Sequence, residues 1–181
     1  MGAIMSVFFV CGIHGAGKTT LCQKLSIKLE IPFFSSSSLI REFSKDAVSD
    51  SKFDKRVKNI VNNQQILVSA VQKKLEQFNN LILDGHTTII NQNNEIENID
   101  SIFFYNMRVT ALILLDVIPE IVKKRLEQRD GISPQLESIA RHIDMERTQA
   151  RIISTEIGIP LFSSDGEESV ILSKIHKLLE I

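Results

Sequence analysis

The chain has 181 residues, with 21 Lys plus Arg against 22 Asp plus Glu, a formal charge of −1 with histidines neutral. That length suits one domain of the usual ~100 to 200 residues, and 43% apolar with 24% charged residues excludes a disordered chain. The charge balance gives no electrostatic footprint for duplex nucleic acid, and the apolar run Val7 to Cys11 stops at Gly12, far short of a bilayer span. With no basic segment before that run and no cleavage site, neither a signal peptide nor a membrane partner is expected. Cys11 and Cys22 are too few for a disulfide framework, which points to a reducing compartment, the cytoplasm.

Ser6 to Cys11 (SVFFVC) is a continuous apolar run of the kind that forms a strand buried on both faces, and Lys18 to Glu30 then switches to helical spacing through Leu21, Leu25 and Leu29. Pro32 and Phe33 to Phe34 predict a second strand, with Ser38 capping a helix from Leu39 to about Lys45. From Lys52 to Phe78, Val57, Ile60, Gln64, Leu67, Val71, Leu75 and Phe78 recur at steps of three and four, a long amphipathic helix with one polar intruder, Gln64. Leu81 to Leu83 predicts a third buried strand, tipped by Asp84 and turned by Gly85. His86 to Met107 is polar, rich in Asn and Gln, and reads as a long functional or mobile loop.

Val109 to Leu115 (VTALILL) is the clearest central strand. Pro119 then opens a helix reaching about Arg129, and Ser133-Pro134 opens another that runs to Ile157 and stops at Gly158. Pro160 to Ser163 is a last short strand, Asp165-Gly166 a turn, and Glu167 to Glu180 a closing helix. Five strands alternating with helices argue for an α/β domain on a mainly parallel sheet. There is no internal repeat, and Ser35 to Ser38 is the one low-complexity patch.

Residues 12 to 19 read GIHGAGKT, a full match to the phosphate-loop pattern G-x-x-x-x-G-K-[ST] placed after a strand and opening a helix. Gly12, Gly15 and Gly17 let successive N–H groups turn inward around phosphate oxygens, and the helix N-terminus adds its partial positive charge. Gly12, His14, Gly15, Ala16, Gly17, Lys18, Thr19 and Thr20 are therefore the expected nucleotide-binding residues. The loop works through its backbone, so the His14 side chain is expected to face outward. Lys18 would reach the β and γ phosphates of ATP and the Thr19 hydroxyl would ligate Mg²⁺. Asp84, at the tip of a strand expected parallel to the one feeding the loop, is the second metal ligand or the group that orients an acceptor hydroxyl.

The tip after Leu115 reads Asp116-Val117-Ile118-Pro119 rather than the guanine-reading N-K-x-D, and 181 residues leave little room for the extra domain of a remodelling ATPase. A small kinase fits. Arg125 and Arg129 lie one turn apart beside the Asp130-Gly131 hinge, and Arg141, Asp144, Arg147 and Arg151 form a second charged stripe. Arg147 borders the apolar stripe Leu136, Ile139, Ile143, Ala150 and Ile157.

Across GIHGAGKT, LILDGH at 81 to 86, ALILLDVIPEIVKKRLEQR at 111 to 129 and the helix holding Arg147, the chain resembles the nucleoside-monophosphate kinases, in particular the archaeal type of adenylate kinase. The resemblance implies a single P-loop NTPase domain over residues 1 to 181, with a five-stranded parallel sheet and helices on both faces. It also implies an acceptor region about 36–78 and 85–107 and a minimal lid about 125–134. The segment SSSSLIR is similar to the acceptor-binding turn of that family, which implies Ser36 and Arg41 at the monophosphate and Arg125 and Arg129 on the transferring phosphates. His86 matches the histidine two places after the strand-end Asp, and Arg147 joins the substrate set. His86-Thr87-Thr88 stands where ordinary adenylate kinases have Phe-Pro-Arg, and the lid between Arg129 and Ser133 is only a few residues. The implied activity is Mg²⁺-dependent transfer from ATP to a small acceptor, AMP first. A different metabolite hydroxyl, with Asp84 as base, or a nucleotide-binding partner protein with weak ATPase remain open from the residues themselves.

Overall fold

The computed structural model describes residues 5–46, 58–91 and 93–179. Five strands form one parallel sheet: β1 (Ser6–Cys11), β2 (Phe33–Ser35), β3 (Asn80–Asp84), β6 (Val109–Leu115) and β7 (Leu161–Ser164), in the order β2-β3-β1-β6-β7. β1 sits at the centre, with Val10 level with Asp84 on one side and with Ile113 on the other. Its six residues are all buried, so its side chains alternate into two apolar layers rather than into core and water. Phe8 and Val10 enter one layer, which packs under α1 (Lys18–Leu29), α5 (Pro119–Asp130) and α7 (Glu168–Leu179). Val7, Phe9 and Cys11 enter the other, beneath α2 (Ser36–Asp46), α3 (Lys58–Leu75) and α4 (Ser101–Asn106). Each fully buried Phe or Leu contributes about 1.5–3 kcal/mol of hydrophobic stabilisation.

The last long helix, α6 (Leu136–Ile157), serves both layers: Ile139 and Ile143 belong to the first, Ala150 and Ile153 to the second. It therefore passes the sheet at the level of Glu146 and Arg147. Gly158 ends it with φ 69°, as expected. α1 ends on Glu30, a non-glycine residue at φ 55°, just before Pro32. Among the described residues, no helix is long and apolar enough to cross a membrane.

Several elements differ from expectation. The segment 86–107 is not one long loop: Thr88–Ile90 (β4) and Ile96–Asn98 (β5) pair as an antiparallel hairpin, Asn91 and Asn94 make its turn, and α4 follows, capped by Asp100. α2 starts at Ser36, so Ser38 lies inside the helix rather than capping it. α6 starts at Leu136, because Ser133 spends its hydroxyl on Glu127. α3 ends at Leu75, three residues short of Phe78, while Lys52 to Val57 of the expected helix lie outside the described residues. Leu67, Val71 and Leu75 face the core with Gln64 buried among them.

Candidate active site

The carboxyl ends of β1, β3 and β6 open onto a cleft of about 830 Å³ lined by the phosphate loop, Asp84, His86, Arg125 and Arg129. This is the position open α/β sheets offer to ligands. Gly15 and Gly17 hold φ 83° and 99°, a region that side chains avoid, and a Cβ on Gly15 would stand 3.1 Å from Leu126. The loop thus lies directly on α5, and Arg125 reaches from that helix to donate to the Ala16 carbonyl at 2.7 Å.

Lys18 is buried, and its ammonium donates to the carbonyls of Gly12 at 2.8 Å and Ile13 at 3.1 Å. Burial holds its pKa below the ordinary lysine value, with Asp84 and Glu146 pulling the other way. A cation folded onto its own loop is positioned to exchange those carbonyls for phosphate oxygens. The Thr19 hydroxyl donates to Asp84 Oδ2 at 2.7 Å. One hydroxyl and one carboxylate, both hard oxygen donors, suit Mg²⁺, which favours one or two protein ligands plus substrate phosphates. No group of three His, Cys, Asp or Glu residues that could cage a metal occurs among the described residues.

His86 lines the cleft beside Asp84. Its pKa is pushed down to about 3, first by burial and then by the charge of Lys18, so the imidazole is neutral. Arg129 is exposed, paired with Asp130 and touching the His14 ring, which faces outward as expected. Cys11 at the end of β1 and Cys22 on α1 flank the loop, both free and fully buried, and burial raises both thiol pKa values.

The expected residues are not all brought together. Gly15, Ala16, Gly17, Lys18, Thr19, Thr20, His14, Asp84, His86, Arg125 and Arg129 converge on the cleft. Arg147 does not: its guanidinium grips Asp116 through two bonds, at 2.7 and 3.0 Å, and Asp144 through a third at 2.6 Å. Arg41 lies on the exposed face of α2 and donates to Ser38 at 3.3 Å. Ser36 turns its hydroxyl inward, buried and unpartnered, while its neighbours Ser35 and Ser37 line the cleft. Among the described residues of the stretches 36–78 and 85–107, only Ser37 and His86 reach the lining.

Lys24, Gln128 and the Asp165-Gly166 turn complete the lining and were not expected there. More consequential is Glu146, 1% exposed, which takes the amide of Gly12, so that Gly12, expected at the nucleotide, does not line the cleft. The signal for it was available: the apolar stripe of α6 steps from Ile143 to Ala150, and Glu146 fills the gap.

A family model described as an AAA domain matches residues 11–140. The adenylate kinase of Petrotoga mobilis is 28% identical over 124 residues, which are 65% of this chain and 55% of that protein. The cytidylate kinase of Pyrobaculum arsenaticum is 28% identical over 140 residues, 71% of this chain and 63% of that protein. The chain thus spans little more than half the length of such relatives. Among solved structures, shikimate kinase from Bacteroides thetaiotaomicron superposes with a TM-score of 0.56 at 18% identity, covering 98% of this chain and 99% of that one. At that identity the likeness is one of fold, the P-loop kinase fold.

Proposed function

The chain belongs to the AAA domain family, and from that premise we propose that it transfers a phosphoryl group from ATP to a small acceptor, a nucleoside monophosphate and AMP first. The observation that carries the reading is the pairing of Thr19 with Asp84 at 2.7 Å beside a lysine-capped phosphate loop, with Arg125 and Arg129 lining the same cleft. In-flight phosphoryl groups need cations around their equatorial oxygens and little covalent help. Lys18, Arg125 and Arg129 supply that charge, and the amides of residues 14, 15 and 17 to 20, which line the cleft, hold the polyphosphate. Thr19 and Asp84 would hold Mg²⁺, which when bound supplies further positive charge to the phosphate oxygens. The likeness to adenylate and cytidylate kinases supports the choice of acceptor. Ser36, Arg41 and Arg147 remain acceptor residues only if they reorient toward the cleft. Two buried free thiols are in keeping with a cytoplasmic setting.

One observation favours a second acceptor class. Ser35, Ser37, Asp84 and His86 line the cleft, and, read together as the acceptor side, they include no cation. Hydroxyls, a carboxylate and a neutral imidazole suit a neutral polyhydroxy metabolite, with Asp84 taking the proton of the attacking hydroxyl. A coupled assay for ADP formation, run with a panel of nucleoside monophosphates and one of neutral polyols, tests both. Stimulation by monophosphates supports the first reading and stimulation by polyols the second. A flat response with slow ATP hydrolysis replaces both with a nucleotide-binding partner protein.

A further inference from the structure

Glu146 lies in the middle of α6, in the stripe that faces the sheet, and is almost wholly buried. Its carboxylate collects four donors. Oε1 accepts from the Gly12 amide at 3.1 Å and the Thr87 amide at 2.8 Å; Oε2 accepts from the Thr88 amide at 2.9 Å and from the Thr88 hydroxyl. The Glu146 carbonyl adds a fifth tie, accepting from the Thr87 hydroxyl at 3.0 Å. Three backbone amides aimed at one carboxylate suit the ionised form, which accepts only, at about four sites.

These donors come from two different loops. Gly12 begins the phosphate loop, and Thr87-Thr88 follow Asp84 and His86 on the acceptor side. β1 and β3 continue their ladder only as far as the bond from the Gly85 amide to the Val10 carbonyl. Beyond it, Glu146 joins the two segments from a third element, alongside the contact of His86 with the Gly12 backbone. The placement has an electrostatic cost, because a negative charge near Lys18 opposes the binding of a polyphosphate. An anion there weakens nucleotide affinity, and what it gives in exchange is geometry.

We propose that Glu146 is the positioning residue that sets the acceptor loop against the phosphate loop, so that acceptor and γ-phosphate meet in line. The proposal rests on the phosphoryl-transfer reading above. In Glu146→Gln the amide nitrogen faces either the Gly12 and Thr87 amides or the Thr88 amide, so in either orientation at least one loop amide loses its acceptor. Binding of a non-hydrolysable ATP analogue with Mg²⁺, measured by calorimetry, is expected to stay equal or tighten, since a negative charge is removed. Acceptor-dependent kcat is expected to fall about 100-fold, the usual result of ångström-scale misplacement, while acceptor-independent ATP hydrolysis stays within about threefold. A residue that merely supports the fold would instead weaken ATP binding, transfer and thermal stability together, and that result overturns the proposal, as does an unchanged kcat.

If Glu146→Gln does not fold, Thr88→Val removes only the hydroxyl donor. It is expected to lower transfer relative to hydrolysis about tenfold, and an unchanged ratio overturns the proposal. If the wild-type protein shows no acceptor-dependent turnover at all, the phosphoryl-transfer reading falls separately. The tie is then judged by amide hydrogen exchange: Gly12, Thr87 and Thr88 must lose protection together in Glu146→Ala, which removes both oxygens, and retained protection refutes it.

Discussion

Lowering the pH from about 7 to about 5 should destabilise the nucleotide-free protein through His86. The folded imidazole resists protonation down to about 3 because it is buried beside Lys18, whereas an unfolded histidine takes its proton near 6.5. Between those values the unfolded chain binds a proton that the native one refuses. Stability is therefore fully present above about pH 6.5 and is lost as the pH falls toward 3. Integrating over the two pH units gives about 2 kcal/mol, or ~4–8 °C in Tm for a chain of this size. His142 is also held below its ordinary value by burial and adds in the same sense. Asp130 and Glu168, held low by Arg129 and by Lys28 and Lys24, enter only below about pH 5, where unfolded carboxylates begin to protonate. The pH 5–7 window thus isolates the imidazoles. Urea denaturation followed by circular dichroism in EDTA, on wild type and on His86→Asn, measures the slope. Unchanged stability across the window, or an identical slope in His86→Asn, would refute the buried neutral imidazole.

Gly85→Ala should be destabilising although its backbone is unstrained: the new Cβ would stand 2.4 Å from Phe9, which is fully buried and packed edge-on against Phe104 at 5.0 Å. A loss of about 1–3 kcal/mol is expected from overpacking, and chemical denaturation within 0.5 kcal/mol of wild type on the order of experimental error would contradict it. Lys18→Ala should weaken ATP binding about 10- to 100-fold, the loss of one charge-assisted contact, as read by calorimetry. Arg41→Ala should raise the acceptor KM about tenfold with ATP binding unchanged if Arg41 swings from Ser38 to a phosphate. Unaltered acceptor kinetics would leave it a surface residue.

The three central strands, β1, β3 and β6, were legible because each is an apolar run buried between two helical layers, so neither face needs polar alternation, while the edge strands β2 and β7 were marked by the prolines just before them. The phosphate loop was legible because its glycines, lysine and threonine are fixed by main-chain geometry. The hairpin Thr88–Ile90 with Ile96–Asn98 was not, since strands of three residues carrying Asn and Glu show no period, and its stability comes from packing on α6 rather than from propensity. The starts of α2 and α6 were misplaced because a serine has several possible partners: Ser38 bonds Arg41 and Ser133 bonds Glu127 in place of a helix amide. Arg147 was expected in the substrate set from the family resemblance and from its place beside an apolar stripe. Its partner Asp116 lies 31 positions away, and no local spacing reveals such a pair.

The two thiols that bracket the phosphate loop turn the protein into its own opening gauge. Cys11 and Cys22 have no exposed surface, one on the central strand and one on the first helix, so a small alkylating reagent can reach them only when that strand-loop-helix unit parts. The rate of modification then counts such excursions directly. A ligand that grips the loop should slow both reactions by the same factor, giving a readout of nucleotide engagement that requires neither turnover nor a label.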